Sequence, residues 1–348
     1  MNFKKSGKKK RILFLTVAVA LVAVTIFTLV LCAFSARGRA SVGGDDTYKS
    51  TAKAAERRNF LLLGRDRASG LTDVMMLVSL DAQGGQLSVL QIPRDTYAEY
   101  TATGYRKING ALNALGAEGT CEFFSDALCV DIYGYAVFEL DSFANVVDMI
   151  GGVEVDIPFD MEYRDPYQDL HISLPAGRQT LDGKQAEQFV RYRFGYVRGD
   201  LGRIDAQKLF MAAFFQKVSC DVGKFELLRI ATSLLDEIDT NVALSDAISL
   251  ATSVLSMDAE HINMLTLAGE DVRSEQSGAW FYVMSKSAAH EQLSTYMGVT
   301  VDSDGFDRDG AFLHESLHSF SQIYETYVPY SVSNAKEINK NGIDIEKR

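Results

Sequence analysis

Four side chains in the middle of the chain have the types and the spacing of a phosphate-binding site. Arg191 and Arg193 share a side if the backbone is extended there, and Arg203 and Gln207 stand one helical turn apart. The planar, permanently charged guanidinium group of arginine donates paired hydrogen bonds to phosphate oxygens. Any one of these arginines is explained as well by a surface ion pair in an acidic protein. Several that converge from different elements predict a phosphorylated ligand.

Further charged residues lie in short motifs nearer the N-terminus. Arg94 closes an apolar run, Lys107 opens a predicted helix, and Asp66 and Asp73 flank a short loop. Two carboxylates together with phosphate oxygens commonly bind Mg²⁺, which keeps several waters and needs few protein ligands. Two aspartates in a loop indicate only a turn when they stand alone, but beside a pyrophosphate pocket they predict a metal site. The candidate pyrophosphate-binding residues are Arg94, Lys107, Arg191, Arg193, Arg203 and Gln207, and the candidate metal ligands are Asp66 and Asp73.

Alternating strands and helices must position these residues. Short runs rich in Val, Leu and Ile predict buried strands at 59–63, 74–80 and 87–92, with a hairpin turn at 81–85. Further strands are predicted at 133–138, 153–157, 262–267 and 280–283, and helices at 108–115, 121–128, 141–150, 182–190 and from about residue 203. The alternation predicts an α/β sandwich with a mixed sheet. Most charged motifs fall at strand or helix ends, where open α/β sheets bind their ligands.

An uncharged stretch near the N-terminus predicts a membrane anchor. Residues 12–34 carry no charge, and as a helix rising about 1.5 Å per residue they would span a hydrocarbon core of about 30 Å. Residues 1–11 carry six basic and no acidic side chains, which predicts a cytoplasmic N-terminus and an extracellular remainder. A cleaved signal peptide is the alternative, but its apolar region would be unusually long. A lipoprotein site at Cys32 is disfavoured because Leu31 is bulky.

The composition and the remaining motifs exclude several other classes. A net charge of −11 argues against general nucleic-acid binding, because duplex affinity comes largely from Lys and Arg. There is no nucleotide-binding Gly-x-x-x-x-Gly-Lys-Ser/Thr loop, no Gly-x-Ser-x-Gly elbow and no Cys-x-x-Cys. His314 and His318 have the spacing of zinc ligands but no third ligand nearby. Cys121 and Cys129 could form a disulfide only if the chain bends between them, since eight residues of one helix span about 12 Å.

Six motifs follow one another in a specific order. They are residues 62–66 (Leu-Leu-Gly-Arg-Asp), 72–77, 92–96 (Ile-Pro-Arg-Asp-Thr), 107–109, 151–156 and 191–207. In this order, behind a single N-terminal anchor, they resemble the LytR-CpsA-Psr family of cell-envelope proteins. The resemblance is close over residues 59–220 and continues to about residue 298. Residues 58–298 are therefore predicted to form the extracellular domain, between a stalk at 35–57 and a peripheral tail at 299–348.

The resemblance implies a fold and an activity. The fold is a three-layer α-β-α sandwich with a central mixed sheet, in which a polyprenyl chain lies in an apolar tunnel and its pyrophosphate meets the arginines. The activity is transfer of teichoic acid, capsular or a related glycopolymer from a polyprenyl-pyrophosphate carrier to peptidoglycan. Attack on the anomeric carbon would expel a pyrophosphate whose charge the arginines and Mg²⁺ stabilise. The candidate catalytic residues are Arg94, Arg193 and Asp200, with Asp200 or a metal-bound carboxylate as the general base.

The chain departs from the family pattern at three positions. Leu71 and Val74 stand where members often carry an arginine and a threonine, and Ala206 replaces a second arginine. The same site residues would also suit a polyprenyl-phosphate-binding protein or a pyrophosphatase, because binding a phosphate does not specify the acceptor. A membrane-bound transcription attenuator is a third alternative, against which the predicted topology and the acidic body argue.

Overall fold

The computed structural model describes residues 57–65, 70–81, 83–101, 106–139, 142–165, 170–196, 200–222, 238–243, 246, 253–254, 257–274, 277–307, 311–312 and 330–331. The predicted cytoplasmic tail and transmembrane helix lie outside these residues, as do nearly all of the stalk and the candidate metal ligand Asp66. Within the described part, no helix combines the length and the apolar character needed to cross a bilayer.

The described chain alternates strands and helices. The strands are β1 (Arg58–Arg65), β2 (Thr72–Asp81), β3 (Gln86–Gln91), β4 (Ile132–Glu139), β5 (Val153–Ile157), β6 (Met161–Asp165), β7 (Leu170–Leu174), β8 (Gly177–Leu181), β9 (Ile238–Thr240), β10 (Ile262–Thr266), β11 (Gly269–Arg273), β12 (Trp280–Met284) and β13 (Tyr330–Ser331). The helices are α1 (Ala111–Leu128), α2 (Ser142–Met149), α3 (Gly183–Arg191), α4 (Asp200–Asp221) and α5 (Lys286–Tyr296). Short 3₁₀ turns lie at Ile108–Gly110 and Ala259–His261.

Seven strands form the central mixed sheet, in the order β13-β10-β3-β2-β1-β4-β9. The predicted hairpin joins β2 to β3, so β2 is antiparallel to both of its neighbours. Strands β1 and β4 are parallel, as are β3 and β10, and all four therefore run in one direction. Their carboxyl ends and the first residues of β2 meet at one edge of the sheet, here called the carboxyl edge.

Helices cover both faces of the sheet. Alternate strand residues point to opposite faces, so Leu62 packs against α2, α3 and α4, whereas Leu61 and Leu63 pack against α1 and α5. Burial on both faces explains why β1 and β2 are continuous apolar runs instead of alternating ones. The mixed sheet with flanking helices agrees with the predicted α/β sandwich.

Local sequence signals account for several element boundaries. Helix α3 starts with a capping box, in which the Asp182 carboxylate accepts from the Gln185 N–H at 2.8 Å and the Gln185 side chain accepts from the Asp182 N–H at 3.0 Å. Two short helices were predicted in residues 108–128, and α1 does consist of two helical segments that are separated by a kink at Gly116. Gly116 has φ of 73° at that kink, a conformation that glycine tolerates. Helix α4 begins at Asp200, earlier than predicted.

Strand β12 and the residues after 298 lie in positions that the sequence pattern did not predict. Strand β12 forms a separate two-stranded sheet with β11, and its Tyr282 also makes an isolated parallel bridge to Thr96 in the loop after β3. Two further small sheets pair β5 with β8 and β6 with β7. Residues from 299 were predicted as a peripheral tail, yet Val299, Phe306 and Phe312 are buried beside α1 and α5. Strand β13 also extends the sheet beside β10. The core therefore continues beyond residue 298.

The three described cysteines are free thiols. Cys121 lies within α1 and Cys129 caps its C-terminus in a left-handed conformation. Cys121 and Cys129 therefore lie eight residues apart on one helix, which is too far for a disulfide bond between them.

Candidate functional site

Asp73 and Arg94 form the centre of a charged cluster at the carboxyl edge. Asp73 is the second residue of β2, and Arg94 follows the end of β3 by three residues. The antiparallel pairing continues past β3, because the Ile92 N–H donates to the Met75 carbonyl at 2.9 Å. It brings Arg94 Nη1 to 2.7 Å from Asp73 Oδ1. The structure therefore joins two predicted site residues that stand 21 positions apart in the sequence.

Asp95 extends this cluster to Lys107. Its Oδ1 lies 3.8 Å from Arg94 Nε and 2.9 Å from Lys107 Nζ. The chain folds back on itself here, since Tyr97 pairs with Lys107 in a β-bridge. Asp95 was not predicted as a site residue. Its position directly after Arg94 in the third of the six motifs was the available signal, but its contact with Lys107 depends on the fold of the loop.

A chain of amide hydrogen bonds connects three elements behind the cluster. Gln91 Nε2, at the end of β3, donates to Gln207 Oε1 of α4 at 3.2 Å. Gln207 Nε2 donates in turn to the Val190 carbonyl of α3 at 3.0 Å. All of these atoms are buried, so the bonds are shielded from competing water. They hold the C-terminus of α3, which carries Arg191, beside the carboxyl edge.

Arg191 and Arg193 differ in their surroundings. The backbone of Tyr192 between them is extended, with φ of −63° and ψ of 131°. Arg191 is half-buried and its Nη1 lies 2.6 Å from Glu187 Oε1, one helical turn earlier. Arg193 is exposed. Arg193 is therefore the more accessible of the two to a ligand that arrives from solvent.

Arg203 lies in the buried first turn of α4, next to a buried tyrosine. Gly202 allows this packing, because a Cβ atom there would lie 2.5 Å from the Cβ of Tyr196. Burial raises the pKa of the Tyr196 hydroxyl above its usual range, the neighbouring Tyr192 raises it further, and the positive charge of Arg203 opposes only part of the rise. Tyr196 is thus a neutral hydroxyl beside Arg203, and it is excluded as a general base at neutral pH.

A second charged pair in α4 lies beside the candidate site without being part of it. Lys208 Nζ is 3.1 Å from Asp205 Oδ1, and their side chains are 1% and 8% exposed. The lysine was not singled out from the sequence, since only the fold buries it. Ala206, at the position where the family resemblance implies a second arginine, is fully buried in the apolar layer between the sheet and α4. Because Asp205 neutralises Lys208, this lysine does not replace the missing arginine.

The hairpin of β11 and β12 fixes the loop that carries the charged cluster. The Tyr282 N–H donates to the Asp95 carbonyl at 2.9 Å, and the Tyr282 carbonyl accepts from the Tyr97 N–H at 2.7 Å. The Tyr282 ring packs against Leu201 and Ile204 at the start of α4. One residue thereby links the loop after β3 to the helix that carries Arg203. The sequence predicted a strand at β12 but no role for it.

Asn109 is a buried polar residue next to Arg94. Its N–H donates to the Arg94 carbonyl at 3.3 Å, and its side chain is almost fully buried. Neither the oxygen nor the nitrogen of its carboxamide has a hydrogen-bond partner among the described residues. A buried polar group without a partner destabilises a fold by about 1–3 kcal/mol.

Asp200 and Asp66 are the remaining predicted site residues. Asp200 is the first residue of α4, so it lies near the arginines along the chain, and its role as a general base stays a prediction. Asp66 falls outside the described residues. In the described part of the chain, no group of three His, Cys, Asp or Glu side chains is placed to hold a metal ion.

A cavity of about 510 Å³ lies at the opposite end of α4. Residues of the last turns of that helix line it, together with Glu154 and Asp258. Its nearest α4 residue, Ala213, is ten positions from Arg203, which is about 15 Å along a helix. Three of its lining side chains are carboxylates, Glu154, Asp221 and Asp258. This cavity is therefore distinct from the arginine cluster, and its charge is unsuited to pyrophosphate.

Comparisons with known proteins agree with the geometry. The sequence model of the LytR_cpsA_psr family matches residues 33–297. The chain is 28% identical over 217 residues to a protein of Bacillus subtilis (strain 168) named polyisoprenyl-teichoic acid–peptidoglycan teichoic acid transferase TagV, covering 61% of this chain and 56% of that protein. It is 29% identical over 256 residues to the TagU transferase of Oceanobacillus iheyensis, covering 71% of this chain and 77% of that protein. The match therefore spans little more than half of TagV.

A solved structure shows the same fold. The crystal structure of B. subtilis TagV has a TM-score of 0.58 and 25% sequence identity, over 71% of this chain and 99% of that chain. A structure of TagT bound to LIIa-WTA has a TM-score of 0.57 at 24% identity, over 76% of this chain and 98% of that chain, which indicates a shared fold.

Proposed function

Because this chain belongs to the LytR_cpsA_psr family, we propose that it transfers a cell-wall glycopolymer from a polyprenyl-pyrophosphate carrier to peptidoglycan. The observation that carries the proposal is the cluster at the carboxyl edge, in which Asp73, Arg94, Asp95 and Lys107 are joined by ion pairs. The relatives TagV and TagU are named as teichoic acid transferases, so teichoic acid or a related polymer is the expected substrate.

The chemistry follows from the charges at this edge. A hydroxyl oxygen of the acceptor forms a bond to the anomeric carbon of the glycan while the bond from that carbon to the pyrophosphate oxygen breaks. The hydroxyl proton passes to a carboxylate, and the polyprenyl pyrophosphate leaves as an anion. Arginines that are already in place stabilise the leaving charge without having to reorganise. Arg193 is exposed and Arg94 is anchored by Asp73, so both can contact phosphate oxygens. Asp200 is the candidate acceptor of the proton.

A magnesium ion fits the chemistry of the available donors. Mg²⁺ binds through one or two carboxylates plus the phosphate oxygens of a substrate, and Asp73 offers a carboxylate at the required edge. With Asp66 as the second ligand, the ion would neutralise negative charge on the phosphate oxygens. Asp73 also lies 2.7 Å from Arg94, so the arginine would share that carboxylate with the ion or move toward the phosphate.

The membrane location belongs to the same proposal. Residues 12–34 are uncharged and follow a basic N-terminus, which supports a single-pass anchor with the domain outside the cell. A polyprenyl carrier is itself a membrane lipid, so an anchored enzyme would meet its substrate at the bilayer surface.

The proposal is tested with the full chain in detergent micelles. Glycan linked to polyprenyl pyrophosphate and labelled in the sugar is mixed with peptidoglycan and Mg²⁺, and the label that becomes attached to peptidoglycan is measured. Arg193→Ala should abolish transfer, because it removes a cation that contacts the phosphate oxygens. Since Arg193 is exposed, the substitution should leave the core of the fold intact. The matched control is Arg178→Ala, since Arg178 is also exposed but pairs with Glu154 on the β5–β8 hairpin, away from the arginine cluster.

Two results would contradict the proposal. Release of phosphate or pyrophosphate without attachment of label to peptidoglycan would favour the pyrophosphatase alternative. Retained lipid with no turnover would favour a carrier-binding protein. Full transfer in the presence of a strong chelator would refute the magnesium assignment alone.

A further inference from the structure

Trp280 is an exposed aromatic residue of the β11–β12 hairpin, whose residues Phe281 and Tyr282 contact the charged cluster. It is the single tryptophan of the chain, and its side chain is 58% exposed. Large aromatic side chains normally lose most of their exposure on folding, because burying a ring of this size is strongly favourable. An exposed tryptophan at the rim of a binding site therefore indicates a contact that the isolated chain does not make.

The position of Trp280 follows from the pairing of β12. Tyr282 forms a parallel β-bridge with Thr96, and its N–H donates to the Asp95 carbonyl. Phe281, the residue directly before Tyr282, places its ring 5.6 Å from Lys107 Nζ of the charged cluster. Trp280 is two residues before Tyr282, about 7 Å along an extended strand. Its backbone thus lies close to the loop that carries Arg94.

The direction of the Trp280 ring follows from strand alternation. Phe281 points toward the sheet side, where its ring meets Tyr97 at 5.5 Å and Lys107 Nζ lies 5.6 Å from its centroid. Tyr282 points the other way, toward the start of α4. Trp280 shares the face of Tyr282, so its ring lies on the α4 side of the hairpin.

The neighbours of Trp280 on this face are charged. Arg273 is its cross-strand partner, and Asp271 is the cross-strand partner of Tyr282 on the same face. Both are exposed, and Arg273 Nε is held at 3.1 Å from the Gly278 carbonyl. A ring flanked by a carboxylate and a guanidinium group offers one apolar surface bordered by hydrogen-bonding groups of both kinds.

This combination matches a pyranose ring. One face of a pyranose presents C–H groups that pack on the electron-rich face of an aromatic ring, while its hydroxyl groups need donors and acceptors at the border. An isoprenoid chain would instead require apolar neighbours. An anionic bilayer surface would be repelled by Asp271 and by the overall charge of −11.

We propose that Trp280 is a stacking platform for the sugar ring next to the pyrophosphate site. The inference rests on the proposed function, because it assumes a glycan substrate, and it adds a subsite to that function. The sugar belongs either to the carrier-linked donor or to the peptidoglycan acceptor. The two sources are separated by experiment.

The fluorescence of the single tryptophan reports binding directly. The full chain in detergent is titrated with soluble, uncrosslinked peptidoglycan glycan fragments, with carrier-linked glycan, and with geranylgeranyl pyrophosphate, which has no sugar. A change in Trp280 emission is expected with the sugar that stacks on it and not with the sugar-free pyrophosphate. A response to anionic phospholipid vesicles and to neither glycan would overturn the proposal, because it would place this face on the membrane.

Kinetics of variants test the same contact in the reaction. Trp280→Ala should raise the KM for one of the two glycan substrates by about three- to tenfold, the range of a single aromatic contact, with little change in kcat. Trp280→Phe keeps a ring and should recover part of the loss. Tyr133→Ala is the control, since Tyr133 is 45% exposed on β4 near the amino end of that strand, away from the carboxyl edge. An unchanged KM for both glycans in Trp280→Ala would overturn the inference.

The inference and the proposed function fail in different ways. If the chain transfers glycan but the Trp280→Ala variant behaves like the unaltered chain, only the stacking platform is wrong. If no transfer occurs but Trp280 emission still responds to a sugar, the site binds glycan and the transferase proposal is wrong.

Discussion

Asp73 Oδ1 lies 2.7 Å from Arg94 Nη1, in a pair whose two side chains are 0% and 15% exposed. The carboxylate is enclosed at the start of β2, whereas the guanidinium group reaches from the interior to the surface of the carboxyl edge. The buried end of the pair fixes the arginine, whose planar guanidinium fork can donate several hydrogen bonds at once. The pair is both a structural contact and part of the candidate site.

Arg94→Ala should therefore reduce both transfer and stability. Removing the arginine leaves a buried carboxylate without this partner, and we expect the free energy of unfolding to fall by about 3 kcal/mol, the low end for breaking a buried ion pair. Urea unfolding of the full chain measures this loss. The double variant Asp73→Asn/Arg94→Ala should recover part of the stability and none of the transfer. Wild-type stability in Arg94→Ala would show that the pair contributes little to the fold.

Gly202→Ala tests the close packing at the start of α4. The added methyl group would overlap the Cβ and the ring of Tyr196, so Tyr196 or the helix must shift. We expect a loss of about 1–3 kcal/mol in unfolding free energy, as for other overpacked positions. A displaced helix would also move Arg203, so the affinity for pyrophosphate, measured by calorimetry, should fall. An unchanged unfolding midpoint would mean that Tyr196 can move at no cost.

Asn109→Leu should leave the fold as stable as before or more so. The substitution removes a buried carboxamide whose atoms have no hydrogen-bond partner among the described residues, and it keeps a side chain of similar size. Thermal unfolding of the full chain measures the change. Asn113→Leu is the matched control, because Asn113 is exposed four residues later and should alter stability by less than about 0.5 kcal/mol. A clear loss at position 109 would show that the carboxamide is hydrogen-bonded in solution.

Cys121 should resist alkylation in the folded protein. Burial, and the negative charges of Glu118 and Glu122, raise the pKa of its thiol to about 12. Only the thiolate reacts, so at pH 8 the reactive fraction is about one in ten thousand and rises with pH toward that pKa. Iodoacetamide at pH 8 should modify the exposed Cys220 well before Cys121, as read by mass spectrometry of peptides. Rapid labelling of Cys121 before denaturant is added would contradict the partly buried placement of this thiol.

The parts of the fold that depend on local signals could be predicted from the sequence. Turn residues predicted the hairpin of β2 and β3, and the capping residue Asp182 predicted the start of α3. Both signals act over only a few residues. The break between the two helical segments of α1 has a local cause as well, because Gly116 adopts a positive φ of 73° that glycine tolerates.

The contacts that organise the candidate site could not be predicted from local sequence signals. The bond between Tyr282 and Asp95 joins residues far apart in the chain, and no spacing pattern reports it. The pairing of Lys208 with Asp205 has visible helical spacing, but only the fold shows that both are buried. The order of the motifs identified the charged residues. Only the structure shows that the hairpin of β11 and β12 holds their loop in place.

Strand β1 starts at Arg58 on one edge of the sheet and ends at Arg65 on the carboxyl edge. Eight residues of strand cover about 25 Å, so the chain enters the domain on the side farthest from the arginines. A label or a surface coupled directly at Arg57 would therefore sit about one strand length from the carboxyl edge, whereas coupling through the β11–β12 hairpin would cover that edge. The direction of β1 thus decides which coupling positions leave the charged cluster open to a ligand.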